Sequence, residues 1–330
     1  MAVFQSIMSN FGTFLMAIIL TIIPYAGIEL PVIDTKEEDC LMTVELISDT
    51  HVEEKELIRQ FMLTSALTNI KRAKADVDAF VVAGDITNYA DEPSLAKYYN
   101  ILEKYSTVPV ITAAGNHDIG HVGDRDVTDI PREEAKANFI RYNNEYMGMQ
   151  NENTWYSTEI NGYKFIVLGD DVIDGGHWDA MDISEEQLKF LDRELAFACG
   201  EPVFVICHWA VDEKNGQEIV YPDSGIELAR NDIKSIMDKY KNVFYISGHI
   251  HGGIKSTAAA DFAGFANVEQ ENGVTYVSLP TFGIVNSFGY PWPATGMQME
   301  VYESKVIFRP RNLVTNEWFT NAVYTIDIVE

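Results

Sequence analysis

The chain has 330 residues, 47% of them hydrophobic, enough to build one large domain with a substantial core. A formal net charge of -26 and a pI near 4.5 repel polyanions, and no basic patch offsets them. Long nucleic acid is therefore excluded as a partner, whereas a small anionic substrate stays admissible beside bound cations, and three cysteines (Cys40, Cys199, Cys207) without metal-ligand spacing argue against a disulfide framework.

Residues 1–33 contain a nearly unbroken apolar run, Phe11 to Ile23, followed by Pro24 and then by the acidic stretch from Asp34 to Asp39. Its length suits a signal-peptide core, or a membrane anchor if the run continues past Pro24 and Glu29, so export or anchoring is expected. Against export, the first ten residues carry no Lys or Arg. From residue 41 to 330 the chain reads as one domain in which strands and helices alternate. Strands are expected over 42–48, 78–83 and 108–113, with helices over 53–75 and 93–105 between them, a pattern that favours parallel pairing. A polar rim segment, 119–131, leads to a helix over 132–146. Strands over 153–160 and 163–168 flank Asn161-Gly162, a strong hairpin signal. A helix over 184–197, a strand ending at Cys207, a helix over 225–240 and a strand ending at Ser247 follow. From Thr275 onward the pattern is strand-rich, with short strands at 301–303, 306–309 and 322–328. Two packed sheets with helices outside are the expected architecture.

Five of the seven histidines fall in clusters that each directly follow an apolar, β-prone run. These are Asp49-Thr50-His51, Gly84-Asp85, Gly115-Asn116-His117-Asp118, His208, and Gly248-His249-Ile250-His251. In open α/β sheets, ligands gather beyond the carboxyl ends of strands, where every cluster lies. Imidazoles and carboxylates brought together this way are costly unless a cation neutralises them. In extended backbone, residues two apart point to one side, so Asp49 and His51 can share a cation, and His249 and His251 can each reach one of a close pair. Neighbours point apart, so Asn116 can offer its amide oxygen to a metal while His117 faces substrate as a proton donor. Asp85, beside Gly84, can bridge two cations with its two oxygens.

The ordered set Asp-x-His, Gly-Asp, Gly-Asn-His-Asp, a lone His and Gly-His-x-His resembles the calcineurin-like metallophosphoesterase superfamily, in order and over most of the chain. The resemblance implies an α/β four-layer sandwich of two mixed sheets flanked by helices. It implies one metal on Asp49, His51, Asp85 and His251, and a second on Asp85, Asn116, His208 and His249. It also implies His117 as the proton donor to the leaving oxygen, oriented by Asp118. Two divalent transition metals (Mn, Fe or Zn) suit this nitrogen and oxygen set, and would activate water for in-line attack on phosphorus.

Purple acid phosphatases share the plan but carry Gly in place of the first His and Tyr three residues after the bridging Asp. Here those positions are His51 and Asn88. The Asp-x-His form is similar to bacterial cyclic-nucleotide phosphodiesterases, which favours a phosphodiesterase acting on a small substrate. A phosphomonoesterase, or a metal-holding interaction module like the retromer subunit of the superfamily, is the alternative. His117 argues for catalysis, since a scaffold needs no donor that does not ligate metal. His121 and His177 read as loop residues, Asp170 and Asp171 equally as caps or site groups, Trp209, Phe282, Phe288, Tyr290 and Trp292 as packing, and Lys71 to Lys74 as a solvated helix end.

Overall fold

The computed structural model describes residues 36–72, 76–119, 130–171, 181, 183–220, 227–254, 266–284 and 293–329. The expected N-terminal anchor, most of the rim segment, His121, His177, Phe288, Tyr290 and Trp292 lie outside them. Among the described residues, no helix is long and apolar enough to cross a membrane.

Three short aliphatic strands, β1 (Met42–Ile47), β2 (Ala79–Ala83) and β3 (Val110–Ala113), are buried along their whole length, as strands covered on both faces must be. They pair in parallel, with helix α1 (Leu57–Arg72) joining β1 to β2 and α2 (Glu92–Tyr105) joining β2 to β3. Asp91 caps α2 by accepting from the Ser94 amide, and Pro93 occupies its first turn. After α3 (Arg132–Met147), the hairpin β4 (Tyr156–Ile160) and β5 (Tyr163–Val167) turns at Asn161 and Gly162, with φ of 50° and 85°, as the sequence predicts. Helix α4 (Glu185–Phe197), capped by Ser184, leads to β6 (Val203–Ile206). The short α5 (Gln217–Val220) and α6 (Glu227–Met237) precede β7 (Val243–Ser247). The chain closes with β8 (Val268–Glu271), β9 (Val274–Ser278), β10 (Thr295–Val301), β11 (Lys305–Asn312) and β12 (Tyr324–Asp327).

Two six-stranded sheets result, ordered β12-β11-β10-β1-β2-β3 and β4-β5-β6-β7-β9-β8. Both are mixed, because β10 runs antiparallel to β1, and β8 to β9. Val44, Leu46 and Val81 of the first sheet meet Phe165, Phe204 and Phe244 of the second in the buried layer between them. The outer faces bury Ile47 and Val82 under Leu63 and Leu67 of α1, and Val205 under Leu191 and Leu195 of α4.

Differences from the sequence reading have local causes. Helix α1 begins at Leu57 rather than at 53, because the Glu56 carboxylate accepts the Ile58 and Arg59 amides at 3.0 and 2.8 Å. Strand β10 is longer than the expected 301–303. Its Met297, Met299 and Val301 face the intersheet layer while Gln298 and Glu300 alternate outward. That outer face is buried too: Glu300 accepts from Arg309, Tyr302 and Gln298, and Arg311 pairs with Glu45.

Candidate metal centre

Each cluster begins where a strand of the two sheets ends, and the chain must turn there at once. In three of the five clusters it does so with side chains in the left-handed region: φ is 57° at Asp49, 46° at His51, 49° at Asp85, 68° at His249 and 52° at His251. Such backbone costs about 1 kcal/mol for each residue other than glycine, and it clusters where surrounding structure holds it for a purpose. Asp49 and His51 therefore do converge, but through curled rather than extended backbone, which corrects the geometric reasoning behind the expectation. Close approach explains two glycines. A Cβ on Gly84, at φ 83°, would lie 2.5 Å from Nδ1 of His208, and one on Gly248 would lie 2.9 Å from Oδ2 of Asp49 and collide with Ser48.

Ligand atoms of Asp49, His51, Asp85 and His251 all lie within 4.8 Å of one another. Nε2 of His251 is 3.2 Å from Oδ1 of Asp49 and 3.3 Å from Nε2 of His51. On the other side, Nε2 of His208 is 3.2 Å from both Oδ2 of Asp85 and Oδ1 of Asn116, and the His208 and His249 rings stand 5.0 Å apart. Asp85 joins the halves. Its Oδ1 accepts the His117 amide at 3.0 Å, which leaves Oδ2 facing His208 and, at 3.7 Å, His51. A single oxygen, rather than one oxygen for each side, lies between the two groups.

Electrostatics follow from that packing. Burial alone would raise the Asp49 carboxyl, yet the His251 and His208 imidazoles outweigh it and hold it at about 2. Burial would lower His208, but the carboxylates of Asp85 and Asp49 hold it up at about 9. Burial pushes His51 down to about 3, against the pull of Asp85. Burial would lower His251 as well, but the Asp49 carboxylate beside it outweighs that and raises it. His208 fixes its orientation by giving Nδ1–H to the Ala83 carbonyl at 2.8 Å, so only Nε2 faces the centre. Both Asp49 oxygens and Nδ1 of His51 are buried without a well-aligned hydrogen bond. An acceptor-rich cluster of this composition fits divalent cations with nitrogen and oxygen preference.

His117 and His251 keep 23% and 24% of their side chains exposed, while the other expected site residues are buried, so these two mark the open side. Nε2 of His117 stands 4.0 Å from Oδ2 of Asp85, and Nδ1–H is donated to the backbone carbonyl of Asn88 at 2.8 Å. Asp118 does not touch the His117 ring. Its carboxylate accepts from the amides of Gly115, Ile86 and Thr87 and from the Thr87 hydroxyl, at 2.8 to 3.0 Å, tying the loop after β3 to the loop after β2. Burial, then the neighbouring Asp85, pushes its pKa up to about 6 in spite of those donors. Sequence reasoning missed the orienting role of the Asn88 carbonyl, a main-chain group that no side-chain pattern reveals. Asp171 caps Ser184 and accepts from the Trp155 indole, Asp170 pairs with Arg132 and Lys136, and Trp209 and Phe282 are buried in the core.

Residues 42–253, which carry every expected metal ligand together with His117 and Asp118, match the family described as calcineurin-like phosphoesterase. The chain belongs to that family. The description names a phosphoesterase, and the cluster of Asp49, His51, Asp85 and His251 within the matched residues could hold a metal ion. A purple acid phosphatase from yellow lupin seeds shares the fold with a TM-score of 0.59 at 16% identity, over 87% of this chain and 53% of that one. The chain thus spans about half of the lupin enzyme's length. An archaeal phosphodiesterase (TM-score 0.30, 12% identity, 87% and 99% coverage) and Vacuolar Protein Sorting 29 from Cryptosporidium parvum (0.38, 14%, 88% and 98%) are also similar. No curated protein matches the sequence.

Proposed function

We propose that the protein is a dinuclear metallophosphodiesterase acting on a small substrate. Asp49, His51, Asp85 and His251 would hold one divalent cation, and Asp85, Asn116, His208 and His249 the other. When bound, such a pair supplies charge neutralisation for the phosphoryl oxygens and acidity for water at neutral pH. The chain's own residues do the rest. Asp85 holds the two halves in register. His117, locked through Nδ1, presents Nε2 at the open side, where it would protonate the departing oxygen. The observation that carries the reading is this last one: a histidine at the mouth whose orientation is fixed by a backbone carbonyl, beside two groups of ligand atoms sharing one carboxylate oxygen.

A turnover screen tests it, with p-nitrophenyl phosphate, bis-p-nitrophenyl phosphate, cyclic nucleotides and nucleotide-sugars, each with Mn, Zn or Fe supplied. Diester hydrolysis that stops on chelation is expected. Turnover of monoesters alone would make it a phosphomonoesterase, and metal uptake without turnover of any ester would make it a binding module.

A further inference from the structure

The loop after β1 does more than deliver Asp49 and His51. Two residues beyond His51, Oε1 of Glu53 accepts from Nδ2 of Asn88 at 2.8 Å and from Nη1 of Arg59 at 3.0 Å. The same Arg59 nitrogen donates to the backbone carbonyl of His51 at 2.9 Å. Asn88 in turn offers its backbone carbonyl to Nδ1–H of His117. One carboxylate therefore joins the peptide that places His51 to the residue that aims His117. Glu53 and Arg59 are roughly a quarter exposed, and an ion pair at such a position contributes little to stability. Their partners are the informative part. Among the described residues the Asn88 side chain has no other hydrogen-bond partner than Glu53.

We infer that Glu53 is a positioning residue for His117, acting through Asn88, and that Arg59 is its counterpart on the His51 side. The inference rests on the reading of His117 as proton donor. In that step the oxygen of water bonds to phosphorus, the P–O bond to the leaving group breaks, and the proton passes from Nε2 to the leaving oxygen, while Nδ1–H stays with the Asn88 carbonyl throughout. If Asn88 drifts, the ring loses the acceptor that keeps Nε2 turned outward, and the leaving group departs unprotonated. A phenol with a nitro group tolerates that; an unsubstituted phenol does not.

The test uses the full chain with Mn and two methyl aryl phosphates, one releasing p-nitrophenol and one releasing phenol. Glu53→Ala should lower kcat at least ~10-fold more on the phenol ester than on the nitrophenol ester, with KM little changed. Glu53→Gln, which keeps an acceptor oxygen for Asn88 and Arg59, should restore the phenol ester. Asn88→Ala cuts the same link from the other end and should reproduce the selective loss even where Glu53→Ala does not fold. Arg59→Met should weaken Mn uptake by the metal-free protein ~10-fold, read by isothermal titration. Equal loss on both esters, no loss, or failure of Glu53→Gln to restore would overturn the assignment of Glu53, and unchanged Mn uptake would overturn that of Arg59. A wild-type protein inactive on both esters would count against the phosphodiesterase reading instead.

Discussion

Under the proposed reading, the residue that separates catalysis from mere metal binding is His117. Its ring stands edge-on to His51 with centroids 4.8 Å apart, its Nε2 is 4.0 Å from Oδ2 of Asp85, and its Nδ1 is already committed. His117→Ala should therefore retain both metals, measured by elemental analysis, while turnover of a diester falls roughly 10² to 10⁴ fold. His208 makes a different prediction. Held at about 9 by Asp85 and Asp49, it carries a proton at neutral pH in the metal-free protein, and an entering cation must displace that proton. The sign follows: uptake tightens as pH rises and levels off above about 9, and it weakens by about tenfold for each pH unit below, per proton displaced. Titration calorimetry in buffers of different ionisation enthalpy counts the released proton. Uptake independent of pH between 6 and 8 would contradict this electrostatic picture.

At the scale of elements, the centre is assembled by strand ends that stop abruptly. Buried strands β1, β2 and β7 each give way to residues with positive φ, so the ligands arrive on turns too tight for ordinary side chains. Asp118 is the brace between the turn after β2 and the loop after β3, satisfying three amides and one hydroxyl with a carboxylate that is itself buried. Asp118→Asn replaces one of two acceptor oxygens by a donor that faces N–H groups. A loss of about 1 to 3 kcal/mol is expected in urea denaturation, because the unpaired amides stay buried. This brace also shows where legibility ended. The motif Gly115-Asn116-His117-Asp118 was readable as a site segment, yet the distant partners of Asp118 were not, since two of its three amide donors, Ile86 and Thr87, belong to the loop after β2. Helix α1 gave the same lesson: Glu56 was readable as helix-forming and serves instead to start the helix by holding two amides.

For the whole molecule, the two sheets place their carboxyl ends at one edge, so a single cavity collects ligands spread from Asp49 to His251. Gathering buried carboxylates and imidazoles with raised backbone strain is a net cost to the metal-free fold. Cations that bind only the folded state repay it by mass action, about 2.7 kcal/mol per site at a hundredfold excess over Kd. Chelation should therefore lower Tm by about 10 °C, read by calorimetry before and after removal of metal and again after Mn is restored. An unchanged Tm would mean that the cavity holds no cation in solution.

The sequence by itself determined the alternation of strands and helices, the position of each ligand cluster at a strand end, and the family to which those clusters point. These are local properties: apolar runs of strand length, glycines beside polar residues, and spacing within one segment. Only the tertiary structure decided which oxygen of Asp85 lies between the two halves, that the Asn88 carbonyl rather than Asp118 orients His117, and that the outward charges Glu45 and Glu300 are buried against Arg311 and Arg309. Each of those depends on backbone groups or partners far away in the chain, and a side-chain pattern does not encode where a distant peptide will come to rest.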